Sequence, residues 1–309
     1  YVSNDYIARD FLYINQQDGT FREALGEMMG HTSRFSMGND LGDINNDGRT
    51  DILSLDMLPR EYEKLKTSAG EDAYQVYQDK LKYGYKDQHA RNTLQLNRGN
   101  GQFSDIGLMA NIAATDWSWS GLMADFNLDG YQDIFVANGI LGRSNDMDYI
   151  NFISNEALQT RLDNQISNED LKLIDKMPVV KIPNYFFLNN QNLQFEDATE
   201  KWGIDDKTFS NGAVYADLDS DGDLDIITNN INDPASVYRN NFTRNHPDKH
   251  SINFRFKGPE GNAFGLGTRV IVEAGELRQT REMYAVRGYQ SSLPYEIHFG
   301  LDSLTKIDR

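Results

Sequence analysis

Three nine-residue loops constrain this chain more than any other feature. They read Asp43-x-Asn45-x-Asp47-Gly48-x-x-Asp51, Asp125-x-Asn127-x-Asp129-Gly130-x-x-Asp133 and Asp217-x-Asp219-x-Asp221-Gly222-x-x-Asp225. Oxygen groups at positions 1, 3 and 5 of a turning loop converge on one hard cation. Glycine at position 6 permits the reversal, position 7 lends a backbone carbonyl (Arg49, Tyr131 and Asp223 here) and position 9 returns a carboxylate. A helix–loop–helix site would carry Glu at position 12, whereas these loops have Ser54, Val136 and Thr228 between β-prone flanks. The reading is one Ca2+ in each of three loops between strands. Magnesium, which keeps its waters, suits so many protein ligands less well. The third loop, with carboxylates at positions 1, 3 and 5, is expected to bind tightest.

The loops belong to an internal repeat. Counting back from Asp43, Asp125 and Asp217, a Phe stands 22 residues upstream (Phe21, Phe103, Phe195) and an Asn six before it (Asn15, Asn97, Asn189). Ser36, Ser118 and Ser210 lie seven before the Asp, and Asp56, Asn138 and Asn230 lie thirteen after it. Fixed phase in three copies marks a structural unit. The Asn-to-Phe segments read as tight hairpins with Gly19 and Gly101 in left-handed backbone; the third copy has Leu193 there, so Asn192 is expected to take that conformation. Each unit reads as four short strands, the blade of a propeller. Repeat spacings of 82 and 92 residues exceed a bare blade, and the excess sits at 58–91 and 140–183. Both stretches are helix-like, with Ile150, Ile153, Ala157, Leu158 and Arg161 at helical spacing in the second. The expected fold is all-β with helical insertions: a partial β-propeller of four-stranded calcium-loop blades over 1–245, then a small β-domain over 246–309.

Composition removes several function classes. Among 309 residues, 47 are acidic and 30 are Lys or Arg, a formal charge of −17 that disfavours nucleic acid and anionic membrane. Three, three and five Asp of that total lie in the loops, and three bound divalent ions would bring the charge to about −11. With no cysteine, disulfides, thiolate metal sites and thiol nucleophiles are excluded. No apolar run is long enough to span a membrane. The chain opens on Tyr1 and reads as part of something longer.

The hairpin followed by the Asp-rich loop resembles the FG-GAP/VCBS repeat of integrin-α-like propellers, over about residues 8–245. Ser251–Gly258, Asn262–Val270, Gly288–Leu293 and Ile297–Leu301 are similar to the ASPIC/UnbV domain that follows such propellers in cartilage acidic protein and its Bacteroidetes homologues. The resemblance implies further blades, a further C-terminal strand and a non-enzymatic binding role. It also implies an extracellular or surface location, anchored at the outer membrane through a segment outside this chain. The implied partner is a protein, such as a SusC/SusD-like nutrient importer; a glycan or peptide ligand (a lectin role) and a calcium-dependent polysaccharide lyase are the alternatives.

Other candidates read as structural. Trp117 and Trp119 are expected to pack within a blade, and His298 to be an ordinary strand residue. His246 and His250 mark a solvated linker, and His31 and His89 stand scattered. Tyr62, Tyr74, Tyr77, Tyr83 and Tyr85 crowd the first insertion, either packing it down or forming a binding surface.

Overall fold

The computed structural model describes residues 1–5, 8–70, 72–154 and 170–309. Each metal loop is the turn of a hairpin, and the hairpin that follows it in sequence completes the sheet. The first blade pairs Asn39–Gly42, Asp51–Ser54, Thr93–Asn97 and Phe103–Asp105 in that antiparallel order. The second pairs Ser118–Ala124, Asp133–Asn138, Tyr185–Asn189 and Phe195–Asp197. The third has three strands, Ser210–Ala216, Asp225–Asn230 and Ser236–Tyr238, rather than the expected four. After Tyr238 the chain turns into the helix Phe242–Asn245, so no fourth strand forms there. The hairpin Tyr13–Asn15 with Phe21–Glu23 lies over the other face of the first blade, around Leu12, Leu25 and Ile52.

Period-two alternation explains how the blades stack. Met123, Ile134, Val136 and Phe187 of the second blade meet Ile44, Leu53, Leu55 and Leu94 of the first. Leu122, Phe135 and Phe186 point the other way, onto Ala213, Leu224 and Ile226 of the third. Every residue of Asp133–Asn138 is buried, which is why that strand is continuously apolar between polar ends.

Most of the phase markers have a physical role. Ser118 Oγ donates to Asn138 Oδ1 and Ser210 Oγ to Asn230 Oδ1, each at 2.7 Å, tying the first strand of a blade to its second. In the first copy the marker is Asp56, whose carboxylate instead accepts from Ser33 Oγ and the Arg34 and Phe35 amides, and Ser36 turns to Asp10. Asp10, Asn92 and Asn184 also share a phase that the sequence reading passed over. Asn92 and Asn184 accept from the amides of Asp56 and Asn138 at 2.8 and 2.9 Å.

The third hairpin corrects one expectation. Gln191 (φ 66°) and Leu193 (φ 59°), not Asn192, take the left-handed conformation, matching Gln17 with Gly19 and Gly99 with Gly101. The pairing of Asn189 with Phe195 fixes the turn geometry, so the residue at Leu193 must comply. A left-handed leucine costs about 1–2 kcal/mol, which its packing against the interblade core offsets.

The insertions are helical, as expected. The first holds Tyr62–Thr67 and Tyr74–Lys82, then a strand Asp87–His89 that runs parallel to His31–Ser33. The second holds Met147–Ile153, capped where Asp146 Oδ1 accepts from the Tyr149 amide at 3.0 Å, and the 3₁₀ helix Asp170–Lys176. Ala157, Leu158 and Arg161 lie outside the described residues. The insertions touch through the Ser68–Asp146 bridge and the Ala69 amide on Asn145 O at 2.8 Å.

The C-terminal domain is made of antiparallel pairs: Ser251–Arg255 with Glu296–Gly300, Arg269–Ala274 with Leu277–Glu282, and Val286–Arg287 with Ser291–Ser292. Its own core gathers Val272, Met283, Ile297, Phe299 and Leu301.

Asn189 stitches two blades, since its Nδ2 donates to Gln132 O in its own blade and to Ile44 O in the blade before, at 3.0 and 2.8 Å. Asn189→Ala orphans two carbonyls at a buried site and is expected to cost about 2–3 kcal/mol in urea melts. Asn97, whose side-chain Nδ2 donates to Thr50 O alone, is half-exposed, and Asn97→Ala is expected to cost less than half as much.

Candidate metal loops and the seam below the C-terminal domain

The three loops share one backbone geometry. The fourth residue is left-handed in each (Asn46 φ 57°, Leu128 φ 56°, Ser220 φ 61°), and the sixth-position glycines have φ of 82°, 89° and 95°. The first Asp receives two loop amides: Asp43 from Asp47 and Gly48 at 3.0 and 2.8 Å, Asp125 from Asp129 and Gly130 at 3.1 and 2.8 Å. Asp217 receives those of Asp221 and Gly222 at 3.1 and 3.2 Å. The ninth Asp has one oxygen on the amide of loop position two and the other on the amide of the next hairpin's Asn. Those second contacts are Asp51 to Asn97, Asp133 to Asn189 and Asp225 to Asn240, at 2.8, 2.9 and 2.8 Å. Asn240 therefore does for the third blade what Asn97 and Asn189 do for the others.

The donor set fits a divalent cation. Ligand oxygens of Asp217, Asp219 and Asp221 lie within 4.8 Å of one another. Burial pushes Asp51 and Asp125 up to about 7 and Asp133 well above the usual carboxylate range, with neighbouring loop carboxylates adding to each rise. Asp43, Asp129 and Asp225 are also raised, chiefly by burial. Burial of this kind disfavours the bare anion, a cost that a bound cation would offset. Asp223 turns its carboxylate away to Thr243, whose amide and hydroxyl reach Oδ2 at 2.9 and 2.6 Å, leaving its backbone for the loop. In the first two loops the Asn45 and Asn127 carboxamides lean on Asp47 and Asp129 at 3.0 and 3.3 Å. Arg49 and Arg239 pair with Asp47 and Asp219 at the rims of the first and third loops. Among the described residues no basic group pairs with a second-loop carboxylate. Charge count thus favours the third loop and burial the second.

The C-terminal domain sits on these loops and on the inner strands. Arg287 reaches all three blades. Its Nε and Nη2 clasp Asp40, each at 2.6 Å, Nη2 meets Met123 O at 2.7 Å, and Nη1 meets the Tyr215 hydroxyl at 2.5 Å. Tyr215 and Tyr284 lie 5.5 and 5.3 Å from its guanidinium, and Tyr284 also donates to Leu41 O. Asp40 and the aromatic stack hold the Arg287 proton well above its ordinary value despite burial. The Gly288 amide donates to Asn39 O at 3.1 Å; a Cβ on Gly288 would stand 2.2 Å from Ser120 Oγ. A cavity of about 120 Å³ remains in the seam, lined among others by Asp43, Asp125, Arg281, Tyr284 and His298.

The sequence reading missed Asp40 and Arg287. A signal existed: three residues before the loop, Asp40 stands where the other copies have Leu122 and Val214. Trp117 and Trp119 do pack, Trp117 being 7% exposed and Trp119 Nε1 donating to Gly139 O at 2.6 Å. His298 is a strand residue, but its Nε2 also meets Gly222 O at 3.0 Å. His246 stacks on Phe242 at 4.1 Å, so the linker is partly ordered. His31, beside His89, pairs with Asp105 at 2.8 Å.

Stacked four-stranded sheets with acidic loops define a propeller-type repeat protein carrying a second small β-domain. The FG-GAP-like repeat family matches residues 1–54 and 83–136, skipping much of the first insertion, and the ASPIC and UnbV family matches 258–309. The chain is an FG-GAP repeat protein with a C-terminal ASPIC/UnbV domain. No curated protein matches it. Among solved structures it is similar to a lectin from Agrocybe aegerita, described as recognising non-reducing terminal N-acetylglucosamine. That likeness has 15% identity and a TM-score of 0.29, over 75% of this chain and 46% of the lectin. The chain thus spans less than half the lectin's length, and the likeness is too distant to bear on function.

Two outcomes follow from this geometry. Removing Arg287 alone (Arg287→Met) leaves Asp40 buried and unpaired, and is expected to cost about 3–5 kcal/mol. Adding Asp40→Leu should recover part of that loss, which a double-mutant cycle in urea measures. For pH, the raised folded values of Asp51, Asp125 and Asp133 mean that the cation-free folded state retains protons which the unfolded chain releases near pH 4. Their contribution to stability is complete below about pH 4; that of Asp51 and Asp125 is lost as pH rises through about 7, and that of Asp133 is lost only above the usual carboxylate range. The melting temperature of dialysed, cation-free protein should therefore fall between pH 5.5 and 7.5; a rise would contradict the loop electrostatics.

Proposed function

We propose that this chain is a calcium-stabilised, non-enzymatic binding scaffold that works outside the cell, with Ca2+ in all three loops and the helical insertions as the binding surface. The observation that carries the reading is the surface of the first insertion. Tyr62, Tyr74 and Tyr83 are 72%, 77% and 84% exposed, with Leu65, Val76 and Leu81 open beside them. Tyr77 and Tyr85 are half-buried, so the tyrosines divide between packing and presentation. The second insertion adds exposed Phe152, Ile174 and Val179. Exposed tyrosines on a rigid support favour protein recognition.

Several features support the finer points. FG-GAP repeats are typical of extracellular proteins, and no helix among the described residues is long and apolar enough to cross a membrane. The seam cavity, about 120 Å³, is smaller than the roughly 300 Å³ at which ligand clefts begin, which weighs against a lyase centre there. An accessory role beside a SusC/SusD-like importer extends the reading by family resemblance. A second reading, glycan binding, is favoured by a groove of about 590 Å³ lined by Trp119, Tyr289, Asn211, Asn229 and Gln290, without a charged side chain.

Calorimetric titration of dialysed protein is expected to show three calcium equivalents, each adding about 2.7 kcal/mol of stability at a hundredfold excess over Kd. No uptake of calcium would sink the metal reading. Replacing Tyr62, Tyr74 and Tyr83 together by Ser is expected to leave the melting temperature within a few degrees and abolish partner co-purification. Retained co-purification would move the binding surface elsewhere, and binding on a glycan array lost in Gln290→Ala would favour the second reading.

A further inference from the structure

The C-terminal domain holds each of the three metal loops by its backbone. Arg269 Nη2 donates to Gly48 O at 2.5 Å in the first loop, and the Asp302 amide to Leu128 O at 2.8 Å in the second. In the third, Ser251 Oγ and His298 Nε2 share Gly222 O at 2.6 and 3.0 Å. These carbonyls belong to loop positions four and six, which are not ligand positions. The contacts therefore sense the shape of the loop without competing for its ion. That shape depends on the left-handed fourth residue and the sixth glycine, the backbone that an ion would fix by drawing positions 1, 3, 5, 7 and 9 together.

Fit and charge make the same demand. Gly300 packs so closely on the second loop that a Cβ there would lie 2.1 Å from Asp125 Oδ2. Arg281 is half-buried and lines the seam cavity together with Asp43 and Asp125. The first two loops carry three carboxyl groups each, and the cations beside them are Arg49 on Asp47 and Arg281 in the seam. A divalent ion in each loop would neutralise most of that acidity where the domain packs against it.

We propose that ion binding in the loops and docking of the C-terminal domain are thermodynamically coupled: the cation-loaded loops are the platform on which the domain seats, and chelation releases it from the blades. The coupling rests on the calcium reading and adds a consequence to it. By linkage the docked domain must strengthen ion binding by the same factor with which ions strengthen docking.

Hydrogen exchange on the whole chain, in calcium and after its removal, tests the coupling. The reporters are the seam amides of Gly288 and Asp302, which donate to Asn39 and Leu128 across the interface. Chelation is expected to deprotect these two at least tenfold, while Phe187 in the second blade and Phe299 within the domain stay protected. Unchanged exchange at Gly288 and Asp302, in protein that titration shows to have bound and lost calcium, would overturn the proposal. Loss of protection throughout the chain in one step would overturn it too, since the ions would then support the fold and not the docking. Absence of calcium binding would instead defeat the metal reading itself. The reciprocal arm uses Gly288→Val, an uncharged wedge whose nearest neighbours are Ser120, Gly121 and Leu122. It is expected to weaken calcium affinity three- to tenfold by chelator competition; wild-type affinity in a variant with an opened seam would contradict linkage.

Discussion

The rest of the structure depends on the ninth-position aspartate of each loop. Asp51, Asp133 and Asp225 are buried carboxylates whose two oxygens face different parts of the chain. One oxygen closes the loop on the amide of Ile44, Phe126 or Leu218. The other receives the hairpin amide of Asn97, Asn189 or Asn240, so one side chain joins a local turn to the sheet across the blade. The Asn side chains then carry the tie outward: Asn189 reaches Ile44 O and Asn240 reaches Phe126 O, each in the preceding blade's loop. A buried anion at such a node is costly without a counter-charge, and its raised pKa measures that cost. A cation in the loop would meet that demand at the place where the fold creates it.

Three blades do not close a ring, and the described sheets remain open. Arg287 compensates at the inner strands, where it binds a side chain or carbonyl from each blade. A buried ion pair is weak support for stability in itself, because desolvation consumes most of the Coulomb gain. Its effect here is on register. Asp40 Oδ2 also accepts the Met123 amide at 2.7 Å, so the guanidinium and a backbone group of the second blade share one carboxylate of the first. The small domain is thereby seated on a carboxylate that already joins the first two blades.

What was legible in the sequence was whatever repeats. The loops, the hairpins and the Ser–Asn ties recur in phase, so periodicity located them and the chemistry of each position explained them. The pairing of each loop with the following hairpin was harder to see, because insertions of variable length separate the two in the chain. Asp40 and Arg287 escaped because they break the repeat: one copy alone needs a charge on its inner strand, and the reason lies 247 residues away. Leu193 was misjudged from residue propensity, which strand register and core packing overrode. Exposure was the least legible property of all. Five tyrosines in one insertion look alike in sequence, and only packing separates Tyr77 and Tyr85 from the three that face solvent.

The same packing separates the acidic loops from the proposed binding surface. The first two loops are covered by Arg281, Gly300 and Arg269, so a macromolecule has little approach to them while the domain is seated. The insertions leave their blades between the second and third strands, away from that seam, and lean on each other through Ser68 and Asp146. Their mobility is thereby limited without their aromatic faces being covered. An exposed tyrosine loses little conformational entropy on binding when its helix is already held, so a rigid support raises the affinity available to the same side chain. On the function proposed above, the carboxylates would set the rigidity of the blades and the insertions would convert that rigidity into recognition.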